Sequence, residues 1–264
     1  MGPGAARNRG LRWCVDHNIE LVMFLDSDDL LLPKAIERLS KEINITNSDI
    51  VISQIQGETK DKNIGIVPNT ETIWTHGKIY RVSFLKQNNI FFPELRTNED
   101  LGFNTVAFYK ALNNKKASFI EEEHYLWRHS ESSITRNKES QDKLIIQLSK
   151  DFLKAIFFVY KKFLELNLNV EEIGPKIIHG MYCYTSYLKD LNAFSSEEDA
   201  MLREIYSNAF IKNYIKDQYE KKKEGIFAEV KQTYYYFDHT FIPKQNIYDF
   251  ISEYSNMNLK GDKE

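Results

Sequence analysis

The stretch that most constrains this chain is Glu20 to Asp29, Glu-Leu-Val-Met-Phe-Leu-Asp-Ser-Asp-Asp. Five consecutive apolar residues, Leu21 to Leu25, run into Asp26, Asp28 and Asp29. An apolar run that short and unbroken predicts a strand covered on both faces. Its carboxyl end then delivers several carboxylates at one point, and in open α/β sheets that end is where ligands sit. Two carboxylates spaced Asp-x-Asp can share a hard divalent cation, and the cation can hold a diphosphate. Taken alone, the same residues also fit an acidic surface turn after a core strand.

Around this strand the chain alternates. Pro3 and neighbouring small residues lead into a helix to about Asp16, with Leu11, Cys14 and Val15 inward. Two glycines at its start are weak support for a phosphate site. Leu30-Leu31-Leu32-Pro33 is expected to open a second helix, with Ile36, Leu39 and Ile43 on one face, and Asp49 to Ile55 is the next strand. Gln56 to Asn69 predicts a polar hairpin or loop, and Trp74 to Lys86 ends in a helix. A further helix begins at Asn98-Glu99-Asp100, with Asn98 as its cap, the two carboxylates at the positive end of its dipole, and Leu101, Thr105, Phe108 and Leu112 on one face. Ala117 to Glu121 and Glu123 to Arg128 read as two short strands, followed by a polar loop over His129 to Asn137. After about residue 140 the pattern turns helical over Asp142–Leu166, Glu171–Leu191 and Ser196–Glu220, interrupted at Gly174-Pro175 and Gly225. The expected organisation is α/β over 1–140 and a mostly α-helical domain over 141–264. Lys221 to Lys223 reads as a solvated face and Tyr234 to Phe237 as packing.

Composition removes several classes of function. A formal net charge of -3 gives no basic field for nucleic acid. The two cysteines, Cys14 and Cys183, form no disulfide framework and suit a reducing cytosol. The first ten residues lack the apolar core of a signal peptide. The most apolar later run, Phe152 to Tyr160, contains Lys154 and is too short to span a bilayer. The expectation is a cytoplasmic protein, with a peripheral position at the inner face of the membrane compatible with it. Aromatic residues make up 13%, enough to offer rings to a sugar or base as well as to fill a core.

Three blocks in order resemble the family 2 glycosyltransferases of the GT-A fold, the inverting bacterial type that builds surface polysaccharides. The first is Gly4-Ala5-Ala6-Arg7-Asn8-Arg9-Gly10-Leu11, a hydrophobic strand, then Asp26-Ser27-Asp28-Asp29 and Pro33. The second is Trp74 to Arg81 followed by Phe92-Pro93-Glu94 and Glu99-Asp100 with Phe103. The third is Tyr125-Leu126-Trp127-Arg128-His129 with Ser132-Ser133-Ile134-Thr135. The resemblance covers residues 2–137 and implies a mixed GT-A-like sheet flanked by helices.

It also implies roles. Asp26 and Asp28 would be the metal-binding Asp-x-Asp, holding Mn2+ or Mg2+ against the diphosphate of a nucleotide-sugar, a UDP-sugar by this resemblance. Asp29 would lie nearby, toward the sugar, with Arg7 and Asn8 on the donor side. Asp100 would be the general base that deprotonates an acceptor hydroxyl on a glycan or carrier, and Glu99 would position it. Arg128 and His129 would hold the diphosphate or complete the metal shell. Trp74, His76 and Lys78 would line the acceptor side. Inversion requires the base opposite the leaving diphosphate, with metal charge on the leaving group and a carboxylate taking the proton.

The family has several tens of residues before the Gly-x-x-Arg-Asn block, forming the nucleotide-base site, and Met1-Gly2 stands here where they would end. The expectation is therefore a truncated sheet with an exposed edge and apolar face, covered by C-terminal helices, a partner subunit or a second copy. The rival reading is a catalytically impaired GT-A scaffold acting in interaction or oligomerisation. The absence of Gln-x-x-Arg-Trp and of membrane spans argues against a processive synthase, and the lack of a basic surplus against an enzyme that glycosylates nucleic-acid bases.

Overall fold

A computed structural model describes residues 2–67, 69, 73–130, 141–221, 234–236, 239–241 and 243–259. The Ser132–Thr135 block, Lys222, Lys223 and Phe237 lie outside the described residues. The chain divides into two compact units, 1–137 and 138–264.

The first unit runs α1 (Pro3–Asp16), β1 (Leu21–Met23), β2 (Leu30–Leu31), α2 (Ala35–Ile45), β3 (Ile50–Glu58), β4 (Ile64–Val67), β5 (Lys78–Arg81), α3 (Val82–Gln87), α4 (Glu99–Asn113) and β6 (Ala117–Trp127). Its sheet is mixed, in the order β1-β5-β3-β6-β2, with β4 paired to β3. β5 runs antiparallel to both β1 and β3, while β3 and β6 are parallel. The carboxyl ends of β1, β3 and β6 therefore point the same way, and β5 begins at that end. Side chains alternate across the strands. Val51 and Ile79 pack with Leu39 and Ile43 of α2. On the other face Tyr80 meets Phe24 and Phe103, and Phe92 stacks on Phe103 at 3.9 Å.

Several expected boundaries shift, each for a physical reason. β1 is an edge strand paired only with β5 among the described residues, and Leu21, Val22 and Met23 are each only partly buried, so it is not covered on both faces. Leu25 is 49% exposed and Trp13 54%. With Gly10, Cys14, Val22 and Met23 these residues line a groove of about 380 Å³ along the strand. Leu30-Leu31 does not open a helix but pairs with Leu126 and Tyr125 as β2. Pro33 holds Leu32 extended, where its N–H donates to the His124 carbonyl, and α2 begins only after Lys34 at φ 66°. Ala35 consequently faces the core in place of Ile36, which is 62% exposed. Leu112, expected on the inner face of α4, is likewise exposed. Asn98 makes no capping bond through its side chain and sits at φ 58°. The two strands expected over 117–128 are a single strand, β6, and the break near Glu122 is a register shift against Ser53-Gln54.

The second unit contains α5 (Gln141–Glu165), α6 (Met181–Asp190), α7 (Ser196–Ser207), α8 (Ala209–Glu220), a β7 (Tyr234–Tyr236) and β8 (His239–Phe241) ladder, and α9 (Ile247–Ser255). The helix expected from Glu171 is split into a 3-10 turn, Val170–Ile173, and a π turn, Lys176–Gly180, around Gly174-Pro175. The helix expected over Ser196–Glu220 is broken at Asn208, whose side chain caps α8 through Phe210 and Ile211. No helix among the described residues is long and apolar enough to cross a membrane.

Candidate active site

The apolar strand β1 carries the chain to Asp26 at the carboxyl end of the sheet. α1 approaches α4 so closely that a Cβ on Gly4 would lie 2.8 Å from the Pro93 carbonyl and 3.0 Å from Glu99 Cγ. That approach lets Arg7 reach both acidic clusters. Its guanidinium donates to Asp26 Oδ1 and to Glu99 Oε1, each at 2.5 Å. Residues 92 positions apart are thus joined through one forked cation. Asn8 is elsewhere engaged: its buried amide exchanges two 2.8 Å hydrogen bonds with the main chain of Phe92. It braces α1 against the segment leading to α4.

His76 Nε2 lies 3.5 Å from Asp26 Oδ2 and 3.7 Å from Asp29 Oδ2. One ligand atom from each of Asp26, Asp29 and His76 falls within 4.8 Å of the other two. Two carboxylates and an imidazole form a mixed oxygen and nitrogen set that could hold a divalent cation. Asp28 is exposed and lies outside this group. Asp29 is buried at 6% exposure; it accepts from the Tyr125 hydroxyl at 2.7 Å and from the Arg128 amide at 2.8 Å. Arg128 therefore meets the site through its main chain, while its side chain is exposed. The His129 amide donates to Glu58 Oε2 at 2.9 Å, at the turn end of the β3–β4 hairpin.

Aromatic rings wall one side. His76 stacks on Tyr125 at 4.7 Å, and Trp74 lies 6.0 Å from Trp127 and 6.2 Å from His76. Lys78 is buried at 1% exposure; its ammonium donates to the Trp74 carbonyl and, at 3.2 Å, to Asn69 Oδ1.

Ionisation is uneven across the site. Burial would raise Asp26, but the hydrogen bond from His76 and the charge of Arg7 outweigh it and hold Asp26 at about 2. Burial raises Asp29 above its ordinary value despite the bonds from Arg128 and Tyr125. Burial, reinforced by the neighbouring Asp100 charge, pushes Glu99 up to about 7 although Arg7 opposes it. Asp100 is also raised by burial, against the bond it accepts from the Leu101 amide. A site that keeps one carboxylate ionised and raises the proton affinity of others suits charge binding and proton transfer together.

The structure thus brings together Arg7, Asp26, Asp29, His76 and Glu99 in a chain of contacts. It leaves Asn8 and Lys78 in other engagements and the side chain of Arg128 exposed. Tyr125 and Trp127 join the site without a role read from sequence. Their only signal was their place in the third block, at the end of a strand.

The family model described as glycosyl transferase family 2 matches residues 1–113. A poly(ribitol-phosphate) beta-N-acetylglucosaminyltransferase, TarS, of Staphylococcus aureus is 30% identical over 139 residues, covering 48% of this chain and 23% of that protein. A poly(ribitol-phosphate) beta-glucosyltransferase of Bacillus spizizenii is 29% identical over 123 residues, covering 42% and 19%. The chain therefore spans less than a quarter of either relative. Among solved structures, S. aureus TarS 1-349 in complex with UDP-GlcNAc aligns at a TM-score of 0.42 and 19% identity, covering 84% of this chain and 72% of that one. The match over residues 1–113, which carries Arg7, Asp26, Asp29, His76, Glu99 and Asp100, makes this part of the chain similar to glycosyl transferase family 2.

Proposed function

We propose that the chain takes part in inverting, metal-dependent transfer of a sugar from a nucleotide-sugar, a UDP-sugar, to a hydroxyl of a surface polysaccharide. The two relatives' names favour a hexosyl donor and a poly(ribitol-phosphate) acceptor. We assign the chemistry to residues 1–140 and treat 141–264 as a separate helical domain. The observation that carries the reading is the Arg7 fork, which ties the Asp26 cluster to the Glu99-Asp100 pair in one charged centre.

Asp26, Asp29 and His76 would hold Mn2+ or Mg2+, with Asp28 at the exposed rim. When bound, the ion supplies positive charge that stabilises the departing diphosphate. Asp100 accepts the proton of the acceptor hydroxyl as its oxygen bonds to the anomeric carbon and the bond to the diphosphate breaks. Glu99, fixed by Arg7, orients Asp100 and the acceptor. Trp74 and Trp127 present ring faces to a sugar, and Arg128 and His129 lie toward the donor side.

The test is UDP release on incubation with Mn2+, UDP-GlcNAc or UDP-glucose, and a ribitol-phosphate polymer. Release that needs both the metal and the acceptor is expected, with a rise in melting temperature on adding Mn2+ and UDP. Absence of turnover together with an unmoved melting temperature would favour a scaffold over an enzyme.

A further inference from the structure

We propose that Asn69 and Lys78 are positioning residues: a buried amide and ammonium that clamp the main chain of 73–77 so that His76 and Trp74 face Asp26 and Asp29. The inference rests on the assignment of His76 to the metal-holding group.

The segment between residue 73 and β5 has no regular secondary structure, yet its carbonyls are held by side chains from several elements. The Ile73 carbonyl accepts from Asn104 Nδ2 of α4 at 2.7 Å. The Trp74 carbonyl accepts from Lys78 Nζ, and the His76 carbonyl from Asn69 Nδ2 at 2.8 Å. The Gly77 carbonyl accepts from the Ser53 amide at 2.9 Å and the Ser53 hydroxyl at 3.0 Å. Asn69 is the hub. Its Nδ2 also donates to the Ser53 carbonyl at 2.8 Å, its main-chain N–H to Gln54 Oε1 at 2.8 Å, and its Oδ1 accepts from Lys78. Both residues are almost wholly buried, Asn69 at 3% and Lys78 at 1%.

The clamp matters because of what His76 lacks. A metal-binding histidine usually donates its second ring nitrogen to a carboxylate or carbonyl, which fixes the ring. His76 Nδ1 is buried and has no hydrogen-bond partner among the described residues. Apart from the Nε2 contacts with Asp26 and Asp29, its direction is set by stacking on Tyr125 and by its main chain, and the main chain is what Asn69 holds. A buried ammonium is costly unless well partnered. Lys78 therefore serves the segment from beneath and does not contact an acceptor.

The experiment measures Mn2+ affinity of the full chain from the electron paramagnetic resonance of free Mn2+. Asn69→Ala is expected to weaken binding about 10-fold. His76→Ala should weaken it too, and the double variant should bind no more weakly than His76→Ala alone. Wild-type affinity in Asn69→Ala, or independent losses that multiply in the double variant, would overturn the proposal. Unchanged affinity in His76→Ala would instead remove the metal reading of His76. The clamp is then decided by the Trp74 indole resonance, which shifts in Asn69→Ala if the segment is released; an unshifted resonance overturns it. Lys78→Gln keeps a donor and serves where Asn69→Ala does not fold. Failure of both variants to fold would overturn a role confined to this segment.

Discussion

Arg7 is shared between Asp26 and Glu99, and the two carboxylates respond differently because their other neighbours differ. Burial raises both, but Asp26 adds His76 and falls to about 2, whereas Glu99 adds the charge of Asp100 and rises to about 7. With an ordinary value of 4.5, Glu99 binds its proton more tightly folded than unfolded. Its contribution to stability is complete below that ordinary value and is lost as pH rises through the folded value. Glu99→Gln should therefore stabilise the chain at pH 8 by on the order of 3 kcal/mol, with the gain fading in acid, as thermal or urea unfolding would report. The same variant should slow transfer, since an active-site strain is exchanged for stability. Turnover of the wild type should rise with pH as the Glu99-Asp100 pair loses protons, with an apparent pKa that belongs to the pair. The residue types of this centre were legible in sequence: Asp26, Asp29, Glu99 and Asp100 stand in recognisable blocks. The pairings were not, because Arg7, Asn8 and His76 acquire their partners only when distant segments meet. His76, expected on the acceptor side, lies against the carboxylates instead.

At the level of elements, the chemistry depends on irregular connections between regular ones. Gly77 turns the chain into β5 at φ +64°, and a Cβ there would lie 2.9 Å from both Ile55 Cγ2 and Ser53 Oγ. Gly77→Ala should cost roughly 1–3 kcal/mol in denaturant unfolding and loosen His76 one residue away. An unaltered midpoint would show that the turn bears no strain. Helices α1, α2 and α4 and the long strand β3 were readable from periodicity and punctuation. β2 was not, because three leucines before a proline carry no period and the first two depend on pairing with β6. The single course of β6 was hidden by the bulge that places consecutive glutamates where alternation should be.

For the whole molecule, the sheet order could not be read from one sequence, since it is decided by pairings between strands far apart in the chain. Its consequence is a β1 edge with no further strand among the described residues, beside exposed Trp13 and Leu25. Such an edge invites pairing. Sedimentation should show concentration-dependent association that Trp13→Lys suppresses, and identical monomeric behaviour of both chains would contradict it. On the proposed function, one centre joins metal binding to proton abstraction by Asp100. The most direct measurement is the rate of UDP release by Asp100→Asn beside its Mn2+ affinity. At least about a 100-fold loss of turnover with Mn2+ affinity unchanged is predicted. Undiminished turnover, or loss of Mn2+ binding in step with it, would contradict the account.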